Sequence, residues 1–143
     1  MKEKQGNIWK QNSQFVCVTT NGVVKHNGEL VMGAGIALEA KQKFPELPKR
    51  LGTLVHTFGN LPFYLEDIGI ISFPTKNHFK ENSDIKLIER SAKEIAAFVI
   101  IRNDLKSIAL PRPGCGNGRL NWQDVKKVLE PILKSDIFTV YYE

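Results

Sequence analysis

Two glycine-rich segments carry the residues best suited to hold a ligand. Residues 31–37 read Val-Met-Gly-Ala-Gly-Ile-Ala, and residues 111–120 read Pro-Arg-Pro-Gly-Cys-Gly-Asn-Gly-Arg-Leu. Glycines just before a helix let backbone N–H groups approach a phosphate, and the helix N-terminus adds partial positive charge. Two such segments on opposite sides of a ligand would hold a diphosphate, although each one alone is also what a tight turn requires.

Lys76 is the residue best suited to covalent chemistry. It follows Pro74 and an apolar segment at residues 68–73. A lysine in such a place either binds a phosphate as a point charge or acts as a nucleophile, while a solvated surface lysine is the default for its type. A nucleophilic amine must be neutral, a state that partial desolvation or the cations of Lys80 and Arg119 would favour.

Three more side chains, two near Lys76 and one in the second glycine segment, are of types that take part in reactions or ligand stacking. His78 could move protons, Phe79 could stack on a base or a ribose, and Cys115 stands near a helix start, where thiols become reactive. The sequence offers no base for Cys115, so we predict that it packs within its loop. A loop histidine without a role is the plain interpretation of His78.

Familiar cofactor motifs are absent or incomplete. The pattern Gly33-x-Gly35-x-x-Leu38 departs from the dinucleotide fingerprint, because Leu38 replaces the third glycine and a predicted hairpin precedes the motif. There is no GxxxxGK[ST] phosphate loop, and no histidines and cysteines cluster at metal-ligand spacing. We therefore predict no metal site and no cofactor.

The glycine segments and Lys76 must be positioned by strands and helices. Short apolar runs indicate the strands, and apolar residues at helical spacing indicate the helices. Strands are predicted at 15–20, 61–64, 68–73, 107–110 and 137–142, with a small hairpin from 23–24 and 30–32. Helices are predicted at 36–44, from about Ser83-Asp84 onward, and after a cap at Asn121, the last one ending near Pro131. Pro45 and Pro48 are predicted to break the chain after the first helix.

Strands that alternate with helices predict an α/β fold with a mixed sheet, in a single domain spanning residues 1–143. In such sheets ligands bind in a crevice beyond the carboxyl ends of strands. The loops that leave predicted strands, 20–35, 74–82 and 111–120, contain both glycine segments and Lys76. The sequence thus predicts that the candidate residues surround one crevice.

Composition limits the classes of partner. The 143 residues are 42% hydrophobic and 24% charged, a globular balance, and the net charge of +5 suits a phosphate-bearing ligand or a nucleic acid as well as an ordinary solvated surface. No apolar run approaches the roughly 20 residues that span a bilayer, so no membrane partner is expected. The two cysteines form no disulfide framework, which favours a cytoplasmic compartment. We expect a monomer.

Five stretches, in order over nearly the whole chain, resemble a macro domain: residues 6–9, 15–22, 31–37, 73–76 and 112–118. The second glycine segment is the most specific of them. The branch that the chain resembles contains a lysine at the position of Lys76 and includes DNA ADP-ribosyl glycohydrolases and ADP-ribosyl-acylglutamate hydrolases. This resemblance implies a three-layer α/β/α fold with a mixed, mostly parallel central sheet, and binding of ADP-ribose.

The resemblance also implies roles for individual residues. Asn7 and Ile8 would lie at the adenine, with an asparagine where the family usually has an aspartate, and Asn21 and Gly22 would lie at the distal ribose. Lys76 would be catalytic. The full set of implied ligand-binding residues is Asn7, Ile8, Thr20, Asn21, Gly22, Met32, Gly33, Ala34, Gly35, Ile36, Pro113, Gly114, Cys115, Gly116, Asn117 and Gly118.

The implied activity is hydrolytic removal of ADP-ribose from a modified macromolecule, with a nucleobase of DNA as one candidate. Some lysine-type macro domains place an aspartate where Gly118 stands here, which disfavours an acylglutamate-specific enzyme. Two alternatives remain open at this point. One is a phosphatase of ADP-ribose 1″-phosphate or a deacylase of O-acyl-ADP-ribose, and the other is a reader that binds ADP-ribose without turnover, because all of these need the same diphosphate cradle.

Overall fold

A six-stranded sheet forms the centre of the structure, a computed structural model that describes residues 1–143. Its strands are β1 (Lys2–Gln5), β2 (Phe15–Thr20), β3 (Tyr64–Leu65), β4 (Ile70–Pro74), β5 (Ile108–Leu110) and β6 (Phe138–Tyr142). They lie in the order β1-β6-β5-β2-β4-β3. Every neighbouring pair is parallel except β3 and β4, which are antiparallel. The mixed, mostly parallel sheet expected from the sequence is confirmed.

Helices cover both faces of this sheet. They are α1 (Gly35–Lys43), α2 (Leu47–Phe58), α3 (Ile85–Ile101) and α4 (Trp122–Leu129), and a short 3-10 helix spans Ile8–Lys10. Along β2, Phe15 and Cys17 pack with α3 and α4, whereas Val16 and Val18 pack with α1 and α2. This alternation follows from the two-residue period of a strand, and it produces the expected three layers. None of the four helices combines the length and apolar character needed to cross a membrane.

Side-chain caps define where two helices begin. Asp84 precedes α3 and accepts a hydrogen bond from Lys86 N at 2.9 Å, and Asn121 precedes α4 and accepts one from Gln123 N at 2.8 Å. Both caps satisfy an amide that the first helical turn leaves without a partner. The predicted caps Asp84 and Asn121 are therefore confirmed, and α4 ends at Leu129, before Pro131, as expected.

Helix α2 was not predicted, and the interpretation of Pro45 and Pro48 as chain breakers was wrong for Pro48. Pro48 is the second residue of α2, in the first turn. An amide in that turn has no acceptor within the helix, so a proline costs nothing there. The signal that could have found α2 is the spacing of Leu47, Leu51, Leu54 and Val55, apolar residues that fall on one helical face.

The strands of the structure differ from the predicted ones in three places. β1 was not predicted, because its four residues are polar and exposed and it is held by backbone pairing to β6. The strand expected at 61–64 is reduced to Tyr64–Leu65. The hairpin of 23–24 and 30–32 has a single bridged pair, Val24 and Leu30. The amide of Leu30 donates to Pro48 O in α2 at 2.8 Å, so this segment is fixed as much by α2 as by its own pairing.

Replacing Gly52 by alanine tests this packing of α2. In an ordinary helix the change stabilises by roughly 0.5–1 kcal/mol. Here the new Cβ would collide with Gly28 O and come within 2.9 Å of Leu30 N. We expect Gly52→Ala to lower the free energy of unfolding in urea by about 2 kcal/mol, as for an overpacked core. Thr53→Ala, at the next and exposed position, is the control, and equal stability of the two variants would contradict the packing.

Candidate functional site

A crevice of about 770 Å³ opens beyond the carboxyl ends of β2, β4 and β5. Its walls are the three loops that follow these strands, as the sequence predicted. Thr20 ends β2, Lys76 follows β4, and Arg112 follows β5. Because all three strands are parallel and adjacent in the sheet, their carboxyl ends meet at one edge and bring distant parts of the chain together.

The first glycine segment forms one wall of the crevice through Gly33, Ala34, Gly35 and Ile36. The amides of Gly33 and Ala34 donate no hydrogen bond within the protein, and no side chain caps α1 at Ala34. Gly35 has a φ of 56°, which a residue with a side chain rarely adopts. The N-terminus of α1 therefore presents free N–H groups to the crevice, an arrangement that binds anions.

The second glycine segment forms another part of the wall near the first, since a Cβ added at Gly35 would lie 3.3 Å from Asn117 Nδ2. The amides of Gly116, Asn117 and Gly118 donate no hydrogen bond within the protein, while those of Arg119 and Leu120 close the loop by donating to Gly116 O (3.0 Å) and Gly114 O (2.9 Å). A Cβ added at Gly116 would meet no atom within 4 Å. Neither a positive φ nor the protein's own packing requires glycine at 116, so this position leaves open space for a ligand.

Gly118 is required for a different reason. A Cβ at this position would collide with Ser83 Oγ and come within 2.6 Å of Gly114 O. Ser83 N donates to Gly118 O at 3.0 Å, so the second glycine segment is joined to the loop before α3. The space that a carboxylate at position 118 would need is filled, which explains in physical terms why the segment carries no acid there.

Lys76 lies on the crevice wall, half-buried, at the start of the loop between β4 and α3. Its Nζ donates to Phe79 O at 3.4 Å and to Glu81 O at 3.3 Å, and contacts no carboxylate. The loop is fixed at its base because Thr75 N donates to Thr20 O (3.0 Å) and Asp84 N donates to Thr75 O (2.8 Å). The amine is thus held in place by the carbonyls of its own loop.

Positive charge dominates the crevice. Among the charged residues that line it are four cations, Lys76, Lys80, Arg112 and Arg119, against the single acid Glu81. Of these cations only Arg112 approaches a carboxylate, Glu3, at 3.9 Å. Unpaired cations around a concave site favour an anionic ligand, and together with the free amides they suit a diphosphate.

Ten of the sixteen predicted ligand-binding residues line this crevice with Lys76: Thr20, Asn21, Gly33, Ala34, Gly35, Ile36, Gly114, Gly116, Asn117 and Gly118. The other six are Asn7, Ile8, Gly22, Met32, Pro113 and Cys115, and they lie outside its wall. Asn7 Oδ1 accepts from Trp9 N at 2.9 Å, and Ile8 and Met32 are buried in the core beneath α1 and α2. The adenine contacts of Asn7 and Ile8 stay predictions.

Cys115, within the second glycine segment, lines a smaller cavity together with Arg112, Trp122 and Tyr142. Burial raises the pKa of its thiol, and Sγ donates to Pro113 O at 3.4 Å. A protonated, hydrogen-bonded thiol is a poor nucleophile, so the structure agrees with a packing role. Gly22 acts as a connector, because its amide donates to Asn77 O at 3.1 Å.

Sequence reasoning missed Ser83 and Glu81 as members of the wall. Ser83 reads as part of a cap, but Asp84 caps α3, and Ser83 Oγ is buried without a hydrogen-bond partner. An unpartnered buried hydroxyl costs free energy unless a ligand or water satisfies it. His78 is not on the wall, and its Nδ1 accepts from Lys80 N at 3.1 Å. The only sequence signal for Ser83 and Glu81 is their position in a loop that follows a predicted strand.

Comparison with curated proteins finds relatives that act on ADP-ribose linkages, although no protein-family model matches the chain. The DNA ADP-ribosyl glycohydrolase of Mycobacterium tuberculosis is 34% identical over 110 residues, which are 69% of this chain and 30% of that protein. The ADP-ribose glycohydrolase OARD1 of Homo sapiens is 28% identical over 131 residues, 89% of this chain and 85% of that protein. The chain thus spans under a third of the first relative and most of the second.

Solved structures match over nearly the whole chain. The macrodomain of Mycobacterium tuberculosis DarG superposes with a TM-score of 0.83 at 26% identity, covering 99% of this chain and 97% of that one. Thermosipho africanus DarTG in complex with ADP-ribose gives a TM-score of 0.79 at 27% identity, covering 98% of this chain and 41% of that one. The whole architecture described above is therefore shared with these proteins.

Two glycine substitutions in the second segment separate ligand binding from folding. Gly116→Val adds a side chain into open crevice space, so we expect normal stability but ADP-ribose binding weakened at least about a hundredfold, since the ligand path is blocked. Gly118→Ala creates the collision with Ser83 described above, so we expect it to unfold about 2 kcal/mol more easily. Calorimetry and urea denaturation measure the two effects. Unchanged affinity in Gly116→Val would show that the segment is only a turn.

Proposed function

Because the chain belongs to the macro domain family, we propose that it binds ADP-ribose and hydrolytically removes it from a modified macromolecule. The observation that carries this proposal is that the binding groups and the reactive residue line one crevice. Two glycine segments with free amides line it, and so does Lys76, two residues after the end of β4. The amides would hold the diphosphate, which would bring the distal ribose toward the lysine.

The chemistry proposed for Lys76 is nucleophilic. Neutral Nζ attacks the anomeric carbon of the distal ribose and forms a carbon–nitrogen bond, while the bond from that carbon to the acceptor breaks and the acceptor leaves with a proton. Water then cleaves the lysine–ribose bond and releases ADP-ribose, returning the amine. Each turnover thus consumes one water, and the carbonyls of Phe79 and Glu81 must release Nζ before the attack.

We further propose a nucleobase of DNA as the acceptor. The support comes from the names of the relatives, several of which are DNA ADP-ribosyl glycohydrolases. The filled space at Gly118 adds to it, because no carboxylate can stand there to assist release from a glutamate ester. Glu81 is the acidic residue on the crevice wall and lies in the loop of Lys76, so it is the side chain we propose for proton transfer alongside water.

Substitution of Lys76 tests this function. The assay follows release of free ADP-ribose from three substrates: an ADP-ribosylated DNA oligonucleotide, a glutamate-linked peptide, and ADP-ribose 1″-phosphate. We expect turnover of the oligonucleotide to fall at least about a thousandfold in Lys76→Ala, because the covalent route is lost. ADP-ribose should still bind that variant, since the glycine segments supply the diphosphate contacts.

Lys76→Arg separates a nucleophile from an anchor. A guanidinium keeps the charge but cannot become a neutral nucleophile near pH 7, so we expect this variant to be nearly as inactive as Lys76→Ala. Lys86→Ala, at an exposed position of α3 outside the crevice, serves as the control. Restored turnover with arginine would make Lys76 an electrostatic anchor and favour the phosphatase. Binding by the wild type without any turnover would favour a reader.

A further inference from the structure

A stacked aromatic pair, one ring exposed and the other half-buried, lies in the loop of Lys76. The rings of His78 and Phe79 are stacked with centroids 4.5 Å apart and an angle of 29° between their planes. Phe79 is 40% exposed, lines the crevice and belongs to neither core cluster. A single exposed phenylalanine is ordinary on a protein surface. What points to a ligand is the position of this ring on the crevice wall, stacked on His78 and three residues from Lys76.

Hydrogen bonds fix this pair relative to the lysine. Lys80 N donates to His78 Nδ1 at 3.1 Å, and Glu81 N donates to His78 O at 3.1 Å, which closes a tight turn. Phe79 O accepts from Lys76 Nζ at 3.4 Å. The stacked rings are therefore presented within one residue of the backbone group that holds the amine. A ligand on the rings would thus contact the same loop segment that holds the amine.

A strained arginine completes the same rim. Arg119 has a φ of 64°, a left-handed conformation that a residue with a side chain rarely adopts and that concentrates at functional sites. It is exposed, and its guanidinium takes part in no ion pair or hydrogen bond within the protein. Gly118, its neighbour, accepts from Ser83 N at 3.0 Å, which places Arg119 beside the loop of Lys76.

We propose that His78, Phe79, Lys80 and Arg119, the rim surface, bind the single-stranded DNA that carries the ADP-ribosyl group. The modified base or its neighbour stacks on the aromatic pair, and Lys80 and Arg119 contact the phosphates on either side. Lys80 Nζ lies 6.0 Å from the centroid of Phe79, at the outer limit of a cation–π contact, so a base displaces it readily toward a phosphate.

The rings decide in favour of a nucleic acid over an acidic peptide. Cations alone would serve both, but only a base offers a flat face for stacking. A single strand suits this surface best, because a base inside a duplex would first have to be flipped out at a cost in unpairing and unstacking free energy. This inference rests on the proposed function, since it names the substrate that the same crevice would process.

Binding is measured in the Lys76→Ala background, so that turnover does not consume the probe. The probes are an ADP-ribosylated single-stranded oligonucleotide, the matching ADP-ribosylated nucleoside, a glutamate-linked ADP-ribosyl peptide and free ADP-ribose. We expect the oligonucleotide to bind at least about tenfold more tightly than free ADP-ribose, because one stacked base alone supplies that difference. Equal affinities would overturn the rim surface.

Phe79→Leu removes the stacking face and keeps the loop backbone. We expect it to weaken oligonucleotide binding roughly 5- to 100-fold while free ADP-ribose binding changes less than about twofold, and Phe79→Trp to restore it. Phe58→Leu is the matched control, because Phe58 is 64% exposed in α2 and outside the crevice. No loss on the oligonucleotide, or an equal loss on free ADP-ribose or the peptide, would overturn the proposal.

Arg119→Gln tests the phosphate contact by its salt dependence. We expect the slope of log affinity against log salt to fall by about one for the oligonucleotide and not to change for the nucleoside, which has no flanking phosphate. Arg90→Gln, in an exposed pair with Glu94 on α3, is the control. An unchanged slope would overturn the role of Arg119.

The two hypotheses fail in different ways. Tight, Phe79-dependent binding of the strand by wild-type protein that releases no ADP-ribose would contradict the proposed hydrolysis and support the rim surface. Release of ADP-ribose at equal rates from oligonucleotides by the wild type and Phe79→Leu, with equal affinities, would support hydrolysis and overturn the rim surface.

Discussion

The close contact between Gly118 and Ser83 is the constraint on which the crevice depends. It joins the segment after β5 to the loop after β4, although these are distant in the chain, through the bond from Ser83 N to Gly118 O and through a space that admits no Cβ. This contact joins the loop that carries the free amides to the loop that carries the lysine, and both loops line the crevice. The same contact leaves no space for an acidic side chain at position 118. One packing contact thus affects both the position of the binding loop and which side chains that loop can carry.

The strands that carry the crevice were predictable because they are buried on both faces, which leaves short, continuous apolar runs such as residues 15–20. The failures have physical causes too. β1 is held by backbone pairing alone, so its polar side chains carry no signal, and α2 has a proline as its second residue, which its first turn tolerates. The monomeric state and the cytoplasmic compartment were inferred from composition and stay predictions.

The candidate site was predictable where backbone chemistry decides it and not where side chains do. Glycines before helices announce free amides, and Lys76 stands out at a strand end. By contrast, nothing in the sequence shows that Asp84 rather than Ser83 caps α3, which leaves Ser83 Oγ without a partner. Nor does it show that the side-chain oxygen of Asn7 accepts a hydrogen bond from Trp9 N. Such assignments depend on competition between neighbouring side chains for one amide, which only the folded geometry resolves.

The loop from Thr75 to Asp84 is tied at its base by the bonds of Thr75 to Thr20 and of Asp84 to Thr75. It is also tied near its start, where Asn77 O accepts from Gly22 N, and near its end, where Ser83 N donates to Gly118 O. Between these points it carries the amine, the stacked rings and an acid. Residues 78–82 form no hydrogen bond with any part of the protein outside this loop. Substitutions within these five residues can therefore change the surface beside the lysine while Ser83 keeps its contact with the diphosphate cradle. A scaffold of this kind can change what it recognises beside the diphosphate through one loop, while its contacts with the diphosphate itself stay unchanged.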